Sequence, residues 1–264
     1  MNLSAKQISS SDNAFYKSLH KLVVSSRFRK QSGKTVLDGV HLIKSARENG
    51  VKVDTYIVTK RSICDPEIRQ LLKGEETGII ELPDNLFKVL SLTNPEVGLV
   101  ARVDIPRPNR ELQSFVLILE NIQDPGNLGS ILRSAAASAV ETVYLSSGCA
   151  DVYSPRVLRA AQGAHFLMSI YEHADILNVA REFKGEVITT FPNNGVPYFD
   201  AYFSSPLALV LGNEGSGVTP ALAACSTQKV KIPMPGSIES LNVAAAAAIL
   251  LFERTRQCSL TKGA

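Results

Sequence analysis

KVKIPMPGSIESLNVAAAAAILLFE, residues 229–253, reads as a short strand, a loop bent by Pro233, Pro235 and Gly236, and a long closing helix. The helix is expected to carry Ser240 and Asn242 in its first turn, followed by Ala244–Ala248 and then Ile249, Leu250 and Leu251. A helix that is apolar on every side is expected to be buried on every side. Consecutive alanines let a second backbone come close. Core packing with Ser240 as an ordinary N-cap accounts for the alanines. It leaves unexplained a polar Ser-Leu-Asn where a proline-kinked loop meets a buried helix. A buried amide left unpaired costs roughly 1–3 kcal/mol, so Asn242 is expected to have a defined partner.

Upstream of this stretch, strand, loop and helix alternate from Phe115 onward. FVLILE (115–120) and LALVLG (207–212) are continuous apolar runs, the pattern of strands buried on both faces. TVYLSS (142–147), His165–Ile170 and Val187–Phe191 read as further strands; ILRSAAASA, Pro155–Ala161 and Ala174–Phe183 read as helices. Such alternation implies a parallel sheet covered on both faces, with ligands bound beyond the C-terminal strand ends. Three loops lie there: Asn121–Ser130, Asn213–Pro220 and Pro233–Glu239. Each is rich in Gly, Pro or Asn and leads into a helix, which brings backbone donors close to a ligand. No GxxxxGK[ST] is present, and Gly212, Gly215 and Gly217 form GxxGxG, the wrong order for a dinucleotide fingerprint.

Residues 1–105 read as a smaller α/β domain. Helices are expected over Asn13–Val24, Val40–Glu48, Pro66–Leu72 and Asp84–Leu90. Strands are expected at Thr35–Leu37, Val53–Val58, Ile79–Leu82 and Gly98–Val103. PRPNRELQS then marks a linker over 106–114, and the second domain occupies 115–264.

Composition narrows the function class. The 264 residues are 45% hydrophobic and 20% charged, ordinary for a soluble globular chain. No apolar run is long enough to span a bilayer, and MNLSAKQISSSDN lacks the apolar core of a signal peptide. The four cysteines and four histidines show no ligand spacing, so a reduced cytoplasmic protein without a structural metal or membrane attachment is expected. Charge is uneven: residues 1–110 carry 18 Lys+Arg against 12 Asp+Glu, while 111–264 carry 10 against 13. Lys17, Lys21, Arg27, Arg29, Lys30 and Lys34 share a span with no acid. That cluster is either a solvated face or a polyanion-binding surface, with Lys21, Arg27, Arg29 and Lys30 the candidate contacts.

DPGNLGSILRSA (124–135), LVLGNEGSGV (209–218) and IPMPGSIESLNVAAAAAILLFE (232–253) resemble the three motifs of the SpoU, or TrmH-type, RNA ribose 2′-O-methyltransferases, in the family's order. NAFYKSLHKL and VLDGVHLIKSA are similar to that family's L30e-like substrate-binding domain, with Asp38 where the family usually has Glu. The resemblance implies an L30e-like α/β domain followed by an α/β-knot domain, a SPOUT-type trefoil knot on a parallel sheet. It implies S-adenosylmethionine as cofactor, RNA as partner and a homodimer through the knotted domain. Leu211, Gly212, Asn213, Gly217, Ile232, Met234 and Leu241 match positions that hold the cofactor. Asn127, Arg133, Glu214, Ser240 and Asn242 match the polar catalytic positions.

Each polar position also has a plain reading: Asn127 as a helix cap, Arg133 as a surface cation, Glu214 as a partner for the Asn213 turn. A guanidinium with a pKa above about 12 is a poor base. Arg133 is therefore expected to grip a phosphate or stabilise a developing alkoxide. The expected activity is 2′-O-methylation of a ribose in structured RNA, with ribosomal RNA preferred over transfer RNA. The alternatives are an RNA-binding relative without catalysis and an α/β enzyme acting on a small nucleotide.

Overall fold

The computed structural model describes residues 5–73, 77–91, 98–108, 114–191, 194–203 and 206–261. Most of the expected linker, residues 109–113, lies outside them. The chain divides into two compact units, 1–106 with 153–166, and 107–152 with 167–264.

The first unit runs β1 (Ala5–Gln7), α1 (Ala14–Val24), α2 (Ser26–Ser32), β2 (Lys34–Asp38), α3 (Val40–Glu48), β3 (Val53–Thr59), α4 (Pro66–Leu72), β4 (Gly78–Leu82), α5 (Asp84–Leu90) and β5 (Leu99–Asp104). Its sheet has the order β1-β4-β3-β5-β2. β4 is parallel to β1 and β3, while β5 is antiparallel to β3 and β2. Asn13 starts α1 by accepting from the amides of Phe15 and Tyr16. Tyr16, Leu19 and Leu22 then face a core shared with Val36, Ile57, Phe87 and Leu90. The basic stretch SRFRKQS, for which no element was expected, is α2. Ser25 caps it by accepting from Phe28, and Gly33 at φ +63° ends it. Its polar composition carries no helical apolar period, and those two boundary residues are the signal that remained.

The second unit contains β6 (Phe115–Leu119), α6 (Pro125–Ala137) and β7 (Thr142–Leu145). The chain next forms α7 (Pro155–Ala161), which belongs to the first unit, where the Thr35 hydroxyl donates to the Tyr153 carbonyl at 2.8 Å. The second unit resumes with β8 (Ser169–Tyr171), α8 (Ile176–Glu182), β9 (Glu186–Thr190), β10 (Val196–Pro197), β11 (Leu207–Leu211), α9 (Pro220–Ala223), β12 (Gln228–Lys231) and α10 (Val243–Thr261). The strand expected over His165–Ile170 is a 3-10 turn at Ala164–Phe166 followed by the short β8. His165 is buried beside Tyr153, which keeps the turn with the first unit.

The seven-stranded sheet has the order β10-β12-β9-β11-β6-β7-β8, and all its pairs are parallel. β6 and β11 are buried at every residue, as their unbroken apolar sequences require. α10 packs chiefly on α6. Two expectations for its start are corrected. It begins at Val243, so Ser240 and Asn242 precede the first turn. It is also buried along one side: Val243, Ala247, Leu250 and Leu251 are covered, while Ala245 and Phe252 are exposed. Uniform apolarity reported what the helix can bury, not which of its sides is covered.

Candidate active site

Three segments meet at the C-terminal ends of β6, β11 and β12. At the first, Asp124 accepts from the Asn127 amide and Pro125 opens α6, a standard start that leaves the Asn127 side chain available. At the second, Asn213 folds the loop on itself. Its Oδ1 accepts from the amides of Gly215 and Ser216, and its backbone exchanges two hydrogen bonds with Gly217. Gly212 is required there, because a Cβ would lie 2.3 Å from the Gly217 carbonyl carbon. At the third, Asn242 caps α10, its Oδ1 accepting from Ala244 at 2.9 Å and Ala245 at 3.4 Å.

The side chains of these segments form one relay. Asn242 Nδ2 donates to Asn127 Oδ1 at 2.9 Å, and Asn127 Nδ2 donates to Glu214 Oε1 at 2.9 Å. Glu214 Oε2 accepts from Asn213 Nδ2 at 3.3 Å, and the same Nδ2 donates to the Asn121 carbonyl at 2.8 Å. The expected partner of Asn242 is thus Asn127, although Asn242 is exposed rather than buried. Asn127 is not the helix cap, since Asp124 fills that role. Arg133 lies further along α6, exposed, with no hydrogen bond or ion pair to any described residue. Ser240 is also exposed and outside the relay.

A cavity of about 540 Å³ opens beside the relay. Leu211, Gly212, Asn213, Gly217, Ile232, Met234 and Leu241 all line it, as do Glu214 and Ser240. Thr190, Phe191, Val230, Lys231 and Glu239 line it as well and were not singled out from sequence. A signal for the first two existed: β9 also ends in a Pro-Asn-Gly-rich segment, FPNNG, like the three loops that were chosen.

The basic span of the first unit divides in the structure. Arg29 is corrected as an RNA contact: it is 4% exposed and donates to the carbonyls of Leu22 at 2.5 Å and Val23 at 3.1 Å. Those carbonyls end α1 without intrahelical partners, so the guanidinium completes the fold. Lys17 pairs with Asp12 at 2.8 Å. Lys34 pairs with Asp104 at 2.7 Å, across the β2–β5 register, and the Asp104 carboxylate holds its ammonium pKa above the ordinary lysine value. The acid-free span is therefore not acid-free in space. Lys21, Arg27 and Lys30 remain exposed. Asp38 is buried and accepts from the Ser91 hydroxyl. Among the described residues there is no metal-binding cluster of His, Cys, Asp and Glu, and no helix is long and apolar enough to cross a membrane.

Residues 114–252 match the model of the SpoU rRNA Methylase family, and residues 13–101 match the MRM3-like substrate binding domain. The chain belongs to the SpoU rRNA methylase family. It is 32% identical to the 23S rRNA (guanosine(2553)-2'-O)-methyltransferase RlmP of Bacillus subtilis, over 94% of this chain and 98% of that protein. It is 30% identical to the 23S rRNA (uridine(2479)-2'-O)-methyltransferase of Streptomyces viridochromogenes, over 94% and 91%. The crystal structure of the SpoU methyltransferase AviRb from Streptomyces viridochromogenes in complex with AdoMet superposes with a TM-score of 0.84 at 29% identity, covering 93% of this chain and 98% of that one. The parallel-sheet unit accordingly has the SPOUT α/β-knot fold of these S-adenosylmethionine-dependent RNA 2′-O-methyltransferases. The relay joins side chains of the three motif segments, and the cavity is lined by the second and third of them together with Thr190, Phe191, Val230 and Lys231.

Proposed function

We propose that this protein transfers a methyl group from S-adenosylmethionine to a ribose 2′-hydroxyl of ribosomal RNA. The observation that carries this is the coincidence of the relay with the cavity: Glu214 belongs to both, at the mouth of the Gly212–Gly217 loop.

The cavity suits the cofactor by its own construction. Its walls pair the aliphatic side chains of Leu211, Ile232 and Leu241 with backbone around Gly212, where any Cβ would collide. Such a lining accepts a flat base and a sugar while aligning polar edges with main-chain groups. The bound cofactor supplies an electrophilic methyl on a sulfonium.

The chain's own residues do the rest. Asn242, Asn127 and Glu214 fix one another across three segments, which holds the reacting region in one geometry; orientation of this kind is a large part of a group-transfer barrier. Arg133 has no hydrogen-bond or ion-pair partner among the described residues. It grips a phosphate or stabilises the alkoxide that forms as the 2′-hydroxyl passes its proton to solvent water. Ser240 stands at the cavity rim as a hydrogen-bonding group for substrate. Lys21, Arg27 and Lys30 supply RNA affinity from the first unit.

The active form is a homodimer through the knotted unit. Ala245 and Phe252 lie on the open side of α10, with Phe252 47% exposed, and Leu241 just before it is 39% exposed. Sedimentation equilibrium is expected to give the mass of two chains, and the mass of one chain would overturn the pairing. The protein is expected in the soluble cytoplasmic fraction without a bound metal; recovery in a membrane fraction, or metal in the purified protein, would contradict this.

The deciding experiment incubates the protein with radiolabelled S-adenosylmethionine and either ribosomal or transfer RNA, then maps 2′-O-methyl sites. Label confined to ribosomal RNA is expected. Label on transfer RNA redirects the substrate, label on free nucleotides points to a small-molecule enzyme, and no label with intact RNA binding identifies a binding protein without catalysis.

A further inference from the structure

Glu120 follows β6 and is 7% exposed, yet it takes no part in the relay. Both of its carboxylate oxygens are engaged by one residue. Thr219 donates its backbone N–H to Oε2 at 2.8 Å and its hydroxyl to Oε1 at 2.8 Å. Thr219 occupies the N-cap position of α9, where a threonine hydroxyl ordinarily accepts from a helix amide. Here it makes no such cap. The hydroxyl is turned to Glu120 instead, so the helix start gives up its own capping bond to make this one.

Thr219 immediately follows the Gly212–Val218 loop. The other end of that loop is tied to the same two residues of the β6 terminus: Glu120 N–H donates to the Leu211 carbonyl at 2.9 Å, and Asn213 Nδ2 donates to the Asn121 carbonyl. Both ends of the loop are therefore anchored on residues 120–121. These residues lead directly into the segment that carries Asn127. We propose that Glu120 is a positioning residue: through Thr219 it latches the Gly212–Val218 loop in the shape that receives S-adenosylmethionine and presents Glu214 to Asn127. This rests on the assignment of the cavity to the cofactor.

A buried carboxylate that accepts two hydrogen bonds from one residue is sensitive to loss of its acceptors. Glu120→Met keeps about the length of the side chain but removes both oxygens, so the Thr219 N–H and hydroxyl lose their partner. The test is calorimetric titration of the full-length protein with S-adenosylmethionine, together with amide exchange at Gly215, Ser216 and Gly217. Glu120→Met is expected to raise the cofactor Kd about tenfold and to speed exchange at those amides, with the cofactor KM rising more than kcat falls. Thr219→Val exchanges only the hydroxyl for a methyl at an exposed position; it is expected to raise Kd about threefold. Thr219→Ser keeps both donors and is expected to restore binding. Leu241→Asp, elsewhere in the cavity lining, is expected to abolish it. Wild-type Kd in both Glu120→Met and Thr219→Val, with Leu241→Asp still defective, overturns the latch and leaves the cofactor site standing. Wild-type Kd in Leu241→Asp overturns the site itself. A fall in thermal stability without a change in Kd or loop exchange reduces Glu120 to a fold residue and also overturns the latch.

Discussion

Arg29 in the first unit is 4% exposed and holds two helix-end carbonyls, whereas Arg133 in the second unit stands exposed on α6 with no partner among the described residues. The same contrast runs through the two units. In the first, Lys34 joins β2 to Asp104 of β5, and Arg102 joins Asp54 and lies over the Phe15 ring. Several of its charges therefore serve the sheet and helix ends. In the second, Asn127, Glu214 and Asn242 bind mostly one another, beyond the ends of strands whose own packing is wholly apolar. These three side chains thus tie three segments together at the site rather than tying the sheet, and Asn242 caps α10 as well. The sequence shows charge in both units but not which kind of work the charge performs.

The largest test of this contrast is Arg133→Ala. If the arginine acts only on substrate, kcat is expected to fall about 10²–10³-fold, the loss typical of one preorganised charge-stabilising donor. Melting temperature and cofactor affinity should stay at the wild-type values. A substantial drop in stability would place Arg133 with Arg29 as a structural residue. Arg133→Lys sharpens the point, since lysine keeps the charge but not the planar fork. Full activity in that variant would show that bidentate geometry is unnecessary.

Gly212→Ala comes next. The added methyl would meet the Gly217 carbonyl and the Val218 amide, both main-chain atoms that cannot rotate aside. Overpacking of this kind costs about 1–3 kcal/mol, and here the upper end is expected, a rise in cofactor Kd of about a hundredfold by calorimetry. RNA affinity should be unaffected. Wild-type cofactor binding would mean that the loop can open without consequence and is not a shaped wall.

Legibility followed the same divide. The all-parallel sheet could be read because β6 and β11 are unbroken apolar runs, and the three loops because glycine, proline and asparagine mark strand ends. The seven cofactor positions came from motif resemblance, and all of them line one cavity. What the sequence hid was pairing at a distance. Nothing local to SRFRKQS shows that Arg29 turns inward while Arg27 and Lys30 turn out, because that depends on where α1 ends in space. Nothing in the run of alanines shows which side of α10 meets α6. The placement of α7 with the first unit is hidden for the same reason: its own residues make a good helix wherever it packs.

Arg29→Met tests the structural side of the comparison. It leaves the Leu22 and Val23 carbonyls without their charged donor, a loss of about 1.5–3 kcal/mol. Denaturation of the variant should show reduced stability, while cofactor calorimetry under native conditions should match the wild type. An unchanged stability with weakened RNA binding would return Arg29 to the RNA-facing set.

The smallest expected effects belong to Lys21, Arg27 and Lys30, exposed on α1 and α2. Phosphate contacts dominate RNA affinity, and the knotted unit lies in the half of the chain with more acids than bases, so the first unit must supply most of the attraction. Each contact releases its own counterions on binding. Neutralising one residue at a time to glutamine should therefore lower the slope of log affinity against log salt by about 0.7–0.9 for each residue that touches a phosphate. The affinity itself should weaken only a few-fold at physiological salt. Lys21 has a second demand on it, since its ammonium lies 5.7 Å from the Phe28 ring centroid. That contact holds the side chain against α2, so Lys21 is expected to give the smallest slope change of the three. A full-sized change at Lys21 would mean that it leaves Phe28 to reach RNA. No change at any of the three would mean that this face is merely solvated and that RNA is held elsewhere.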